Sequence, residues 1–109
     1  MSRISPLERS APVFAALGDG TRLRVVMLLC DGGPASIARL THGTAVSRQA
    51  VTKHLHVLEA AGLVQSARLG RESVWELKPE QLVEAHRTLD RISAQWEQAL
   101  TRLQRFVER

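Results

Sequence analysis

Apolar residues recur along most of this chain at spacings of three and four, the period of a helix with one buried side. Val13, Phe14 and Leu17 form a first short set, and Leu23, Val26, Met27 and Leu29 or Cys30 form a second. Ile37, Ala38 and Leu40 make a third. The fourth is the clearest: Val51, Leu55 and Leu58 fall at i, i+4 and i+7, with Ala50, Val57 and Ala61 beside them. Beyond Gly62 the period drops to two, so residues 63–68 and 72–77 predict two strands about Leu69-Gly70-Arg71. From 79 to 107, Leu82, Leu89, Ile92, Trp96, Leu100, Leu103 and Val107 mark one side of a long last helix near heptad spacing.

Turn and capping residues divide these sets. Ser10-Ala11-Pro12 predicts the start of the first helix, with proline in its first turn, and Gly18 its end. Asp19 caps the second helix, which runs to about Cys30 before Asp31-Gly32-Gly33-Pro34 stops it. A short third helix over 35–41 leads through His42-Gly43-Thr44 to the fourth, with Ser47 as N-cap and Gly62 as the left-handed residue that ends it. The expected fold is mainly α with a small β-hairpin. Residues 1–9 are expected to form a loose arm, 10–78 the core, and 79–109 a last helix longer than that core needs. Its surplus apolar side calls for a partner helix, most simply from a second copy of the chain.

Chemistry concentrates on the fourth helix. Ser47, Arg48, Gln49, Thr52, Lys53 and His56 remain once the apolar stripe is set aside. Arg and Gln can read base edges in a major groove, and Lys and Thr can bond phosphates. His54 adjoins the stripe and reads as structural. Two short helices joined by a tight turn, the second with such a polar side, have helix-turn-helix geometry. The hairpin behind them, with Arg68 and Arg71 near its tip, stands where a wing would. The formal charge of +4 is uneven: residues 32–78 carry +3, residues 1–31 carry +1, and residues 79–109 balance. The excess therefore lies around the fourth helix, as phosphate binding requires.

Phe14-Ala15-Ala16-Leu17-Gly18-Asp19-Gly20-Thr21-Arg22-Leu23-Arg24 is similar to a pattern of the ArsR family, F-x-A-L-x-D-P-T-R-L-R. The resemblance continues through Ser47-Arg48-Gln49-Ala50-Val51-Thr52-Lys53-His54-Leu55, Leu58-Glu59-Ala60-Ala61-Gly62-Leu63-Val64 and Gly70-Arg71. It covers nearly the whole chain, with Gly20 standing where proline is usual. It implies a winged helix-turn-helix repressor, a homodimer joined through its first and last helices. Phe14, Leu82, Leu89, Ile92, Trp96, Leu100 and Leu103 would form that interface. Each protomer would place the 47–61 helix in a major groove of a near-palindromic operator and touch backbone or the minor groove with the 63–77 wing. Family members are commonly released from DNA by a metal or a small-molecule inducer.

Other function classes fare worse. The thiolate metal site of many relatives needs cysteines near the third helix, where this chain reads Ser36-Ile37-Ala38-Arg39-Leu40. A site on the last helix would have to use His86 and Asp90, with Glu84 nearby; no metal and no cofactor is expected. Cys30 is the chain's single cysteine and is expected to be a buried small hydrophobe. Trp75 and Trp96 are expected in core and interface. Ser47, His54 and His56 share a helix, but nothing orients a histidine toward a nucleophile, so an enzyme is not expected. No apolar run could span a bilayer and no signal-peptide core stands at the N-terminus, so a cytoplasmic protein is expected. The alternatives are a protein-interaction module that keeps the fold without binding DNA, and a metal sensor using His86 and Asp90.

Overall fold

The computed structural model describes residues 5–108. Its elements are α1 (Pro6–Leu17), α2 (Gly20–Gly32), α3 (Ile37–His42), α4 (Arg48–Ala60), β1 (Val64–Leu69), β2 (Glu72–Leu77) and α5 (Pro79–Val107). Side-chain oxygens cap four of the five helices. Ser5, Asp19, Ser36 and Ser47 accept from the amides of Glu8, Arg22, Arg39 and Ala50 respectively. Each satisfies one of the first-turn amides that have no acceptor inside the helix.

Several boundaries differ from the sequence expectation: α2 runs on to Gly32, α3 to His42, and β1 begins at Val64 rather than at residue 63. The first helix begins at Pro6, not near Ser10, so residues 6–9 are helical rather than a loose arm; residues 1–4 of that arm lie outside the described residues. Pro6 takes the favoured first position, and Pro12 lies inside the helix on an exposed face. The carbonyl that Pro12 leaves without an amide there can turn to water. The third helix begins at Ile37, because Ala35 is held in an isolated β-bridge with Trp75, at 3.0 and 2.8 Å. Leu69 joins the strand, which shrinks the hairpin loop to Gly70-Arg71. Gly70 has φ +64° and Arg71 after it does not have positive φ, the pattern of a type II′ turn.

The core joins every element. Val13 and Ala16 of α1 meet Val25, Val26 and Leu29 of α2, Leu40 of α3, and Val51, Leu55 and Leu58 of α4. Leu63, Val64 and Trp75 close it from the hairpin, and Ala85 from α5. The stripe expected on α4 is buried, but Val57 at its edge is exposed. On α2, Leu23, Met27 and Cys30 face outward, so Cys30 is not the buried residue expected. Leu23, Met27 and Cys30 keep the same helical period as the buried residues, rotated about a quarter turn or more around an axis of 3.6 residues per turn. Only the first turns of α5 pack on the domain, through Ala85 and Thr88; the Thr88 and Ser10 hydroxyls meet in a buried hydrogen bond of 2.9 Å.

Candidate nucleic-acid interface

α4 is fixed at both ends and along one flank. Ser47 caps its start, and Gly62, at φ +78°, ends it. The Gly62 and Leu63 amides donate back to the carbonyls of Glu59 and Leu58, at 2.9 and 3.0 Å, closing a Schellman motif. On the flank, His54 meets Arg22: the guanidinium lies 3.4 Å from Nδ1, which accepts, since a guanidinium only donates. Arg22 also donates from Nε to the Ala16 carbonyl at 2.6 Å, so one side chain ties α1, α2 and α4 together. His54 is thus bonded within the fold, as its place beside the stripe predicts. Asp19 stands 3.9 Å from the same histidine nitrogen. The Arg22 amide, seconded by the Arg22 charge, holds the Asp19 carboxyl below its ordinary value.

With that flank held, Arg48, Gln49 and Lys53 are exposed. Thr52 is half-buried and its hydroxyl donates to the Arg48 carbonyl at 3.0 Å, leaving its oxygen free to accept. The Ser47 oxygen is engaged as cap, but its hydroxyl proton is free for an acceptor outside. His56 is exposed yet tied within the protein: its ring stands edge-on to Trp75, centroids 6.0 Å apart, and Nδ1 lies 3.4 Å from Glu59 Oε1. At the hairpin tip Arg68 and Arg71 are both exposed, and Arg68 reaches the Arg71 carbonyl at 3.4 Å. Among the described residues, the ion pairs involve Arg9, His54, His56 and His86. None of Arg48, Lys53, Arg68 and Arg71 takes part in one.

Trp75 has a role that sequence reasoning missed. It pairs with Ala35 through the backbone and touches His56 with its ring, so it fixes the wing to both the α2–α3 loop and α4. The available signal was its being the hairpin's one aromatic residue. Of the expected interface residues, Phe14 and Leu82 are half-buried against the chain's own core. Leu89, Ile92, Trp96, Leu100 and Leu103 are exposed, Trp96 at 66%. His86 and Asp90 lie 3.6 Å apart on exposed α5, and no third residue of ligand type joins them among the described residues.

A relative from Mycobacterium tuberculosis, the HTH-type transcriptional regulator Rv2034, is 38% identical over 95 residues, spanning 87% of this chain and 85% of its own. The chain belongs to the ArsR family of winged helix-turn-helix transcriptional regulators. A family profile described as a helix-turn-helix domain matches residues 17–66, the stretch from the end of α1 into β1. The HTH-type transcriptional repressor SmtB of the same organism is 30% identical over 94 residues, covering 86% of this chain and 67% of the relative. Among solved structures, an ArsR-like transcriptional regulator from Rhodococcus sp. RHA1 superposes with a TM-score of 0.75 at 38% identity, covering 92% of this chain and 93% of that one. This ArsR-family chain is a DNA-binding transcriptional regulator. Among its described residues no helix is long and apolar enough to cross a membrane.

Proposed function

We propose that this regulator is a homodimeric repressor that reads a near-palindromic operator with α4 and grips its flanks with the wing. The observation that carries the reading is the set of unpaired cations, Arg48, Lys53, Arg68 and Arg71, exposed on α4 and the hairpin tip. Arg48 and Gln49, at the entering end of α4, contact base edges. Ser47, Thr52 and Lys53 bond phosphates, as do Arg68 and Arg71 from the wing. His56, tied to Trp75 and Glu59, offers its remaining nitrogen to the backbone.

The dimer is carried by α5, whose exposed apolar side continues from the face that Ala85 and Thr88 bury against α1. Two copies joined there would set two α4 helices into successive major grooves, about 34–36 Å apart. Repression is supported by the printed role of the SmtB relative. Release by a small-molecule inducer, rather than a metal, fits a chain with no thiol on α3.

Fluorescence anisotropy of the full chain on its own upstream promoter DNA, beside scrambled DNA, across a salt series, tests this. A preference of about a thousandfold or more supports a specific regulator. Equal, steeply salt-dependent binding to both would remove the operator from that promoter. No binding at low salt would overturn the reading in favour of a protein-interaction module.

A further inference from the structure

We propose that a groove between the start of α2 and the α3–α4 turn seats a backbone phosphate of the bound DNA outside the stretch that α4 reads. This rests on the DNA-contact reading above and extends it to residues not assigned there. The groove has a volume of about 460 Å³, and Thr21, Arg24, His42, Thr44 and Val46 line it. No carboxylate stands on its wall, so an anion entering it meets no repulsion there. The wall ends at Val46, one residue before the cap of α4. The groove thus adjoins the entry of α4, within reach of a nucleic-acid strand that crosses there.

Arg24 is held for the task. Its Nε donates to the Gly43 carbonyl at 3.3 Å, which lays the guanidinium across the groove. Its two terminal nitrogens have no partner among the described hydrogen bonds and ion pairs. Gly43 itself lies close against α2: a Cβ there would stand 2.8 Å from Leu28 Cδ1, so the turn packs directly on the helix that carries Arg24. Thr44 spends its proton on the Thr41 carbonyl at 3.1 Å. The side-chain donors left for a ligand are the Arg24 terminal nitrogens, a His42 N–H and the Thr21 hydroxyl. Fanned donors of this kind, with positive charge and an open mouth, suit the tetrahedral oxygens of a phosphodiester.

The experiment measures the salt dependence of affinity for the full chain on one fixed random-sequence duplex. Arg24→Gln is expected to lower the slope of log affinity against log salt by about 0.9, one phosphate's worth. It should leave the ratio of promoter to scrambled affinity unchanged, and Arg24→Lys should keep the wild-type slope. Thr21→Glu puts a carboxylate into the groove without touching the Arg24–Gly43 bond and suits the first turn of a helix. It is expected to weaken binding roughly tenfold at low salt, with the deficit shrinking as salt screens it. An unchanged slope in Arg24→Gln overturns the proposal, as does a lost promoter preference at constant slope, which would make Arg24 a staple for the turn. Saturation of the His42 resonances by millimolar inorganic phosphate, with no effect of Arg24→Gln on DNA, would assign the groove to a free anion and overturn it too. Wild-type chain that binds no duplex refutes the underlying DNA reading, a distinct outcome.

Discussion

Arg48 and Lys53 carry the same charge on one helix and differ in what they can recognise. A guanidinium can bond two acceptors of guanine at once, whereas an ammonium acts as a point charge on phosphate. Arg48→Ala is expected to cost about 1–3 kcal/mol on the operator and relax specificity at one base position. Lys53→Ala should weaken all sequences alike and lower the salt slope by about one; competition binding against single-base operator variants separates the two. Asp19 makes a different prediction. Its folded-state carboxyl is held below the ordinary value of 3.8, first by the Arg22 amide. The ionised cap therefore stabilises the fold fully above the unfolded value and less as pH falls through the lower folded one. Asp19→Asn keeps an acceptor but does not titrate, so its melting temperature should fall less steeply than wild type between about pH 5 and pH 2. An equal fall would place the acid sensitivity at other carboxylates. Caps of this kind were legible in sequence because a short polar side chain acts on its own next turn. The exposure of Cys30 was not, because it depends on how α2 is rolled against its neighbours.

At the scale of the element, two glycines behave in opposite ways. Gly62 has φ +78°, and a Cβ there would stand 2.9 Å from Gln81 Cγ. Gly62→Ala is expected to destabilise the chain by about 1–2 kcal/mol or more, read by urea denaturation, because the left-handed conformation is costly for any residue with a Cβ. Gly20 has open space around it and stands at the first position of α2, where its amide has no acceptor within the helix. Asp19 before it is extended, at φ −123° and ψ 133°, the conformation that a following proline favours. Gly20→Pro, which restores the family's usual residue, should therefore raise stability by about 0.4–1 kcal/mol through the unfolded chain. A lower urea midpoint would show that the start of α2 needs glycine's freedom. The α4 element was read correctly because Val51, Leu55 and Leu58 form one stripe between a cap at Ser47 and a stop at Gly62, although the apolar Val57 at its edge is exposed. α2 was read less well because it carries two apolar sets of equal period, and only packing decides which one is buried.

For the whole molecule the decisive feature is that α5 outruns its own domain. Its first turns pack on α1 through Ala85 and Thr88, and the rest carries Leu89, Ile92, Trp96, Leu100 and Leu103 into solvent. A helix face of that length and polarity is stable in water when another covers it. Trp96, the largest of these side chains, is where a central anchor would lie. Trp96→Arg is expected to shift sedimentation from dimer to monomer while leaving the helical circular dichroism of the 10–78 core in place. Operator affinity should then fall by roughly two orders of magnitude, because the two α4 helices no longer share one effective concentration. A variant that stays dimeric would move the interface elsewhere.

By itself, the sequence determined the identities and order of the elements, the caps at Asp19, Ser47 and Gly62, and the basic, hydrogen-bonding side of α4. These depend on period, on backbone conformation and on bonds reaching three or four residues, all local quantities. Tertiary structure decided what local rules leave open. It drew Ala35 out of α3 to pair with Trp75, whereas the start of α1 at Pro6 follows from a local cap, Ser5 on the Glu8 amide, that the sequence reading passed over. It also turned Leu23, Met27 and Cys30 of α2 outward and bound His54 to Arg22. Each of these joins residues far apart in the chain, and such a contact has no energy until both partners have been brought to the same place.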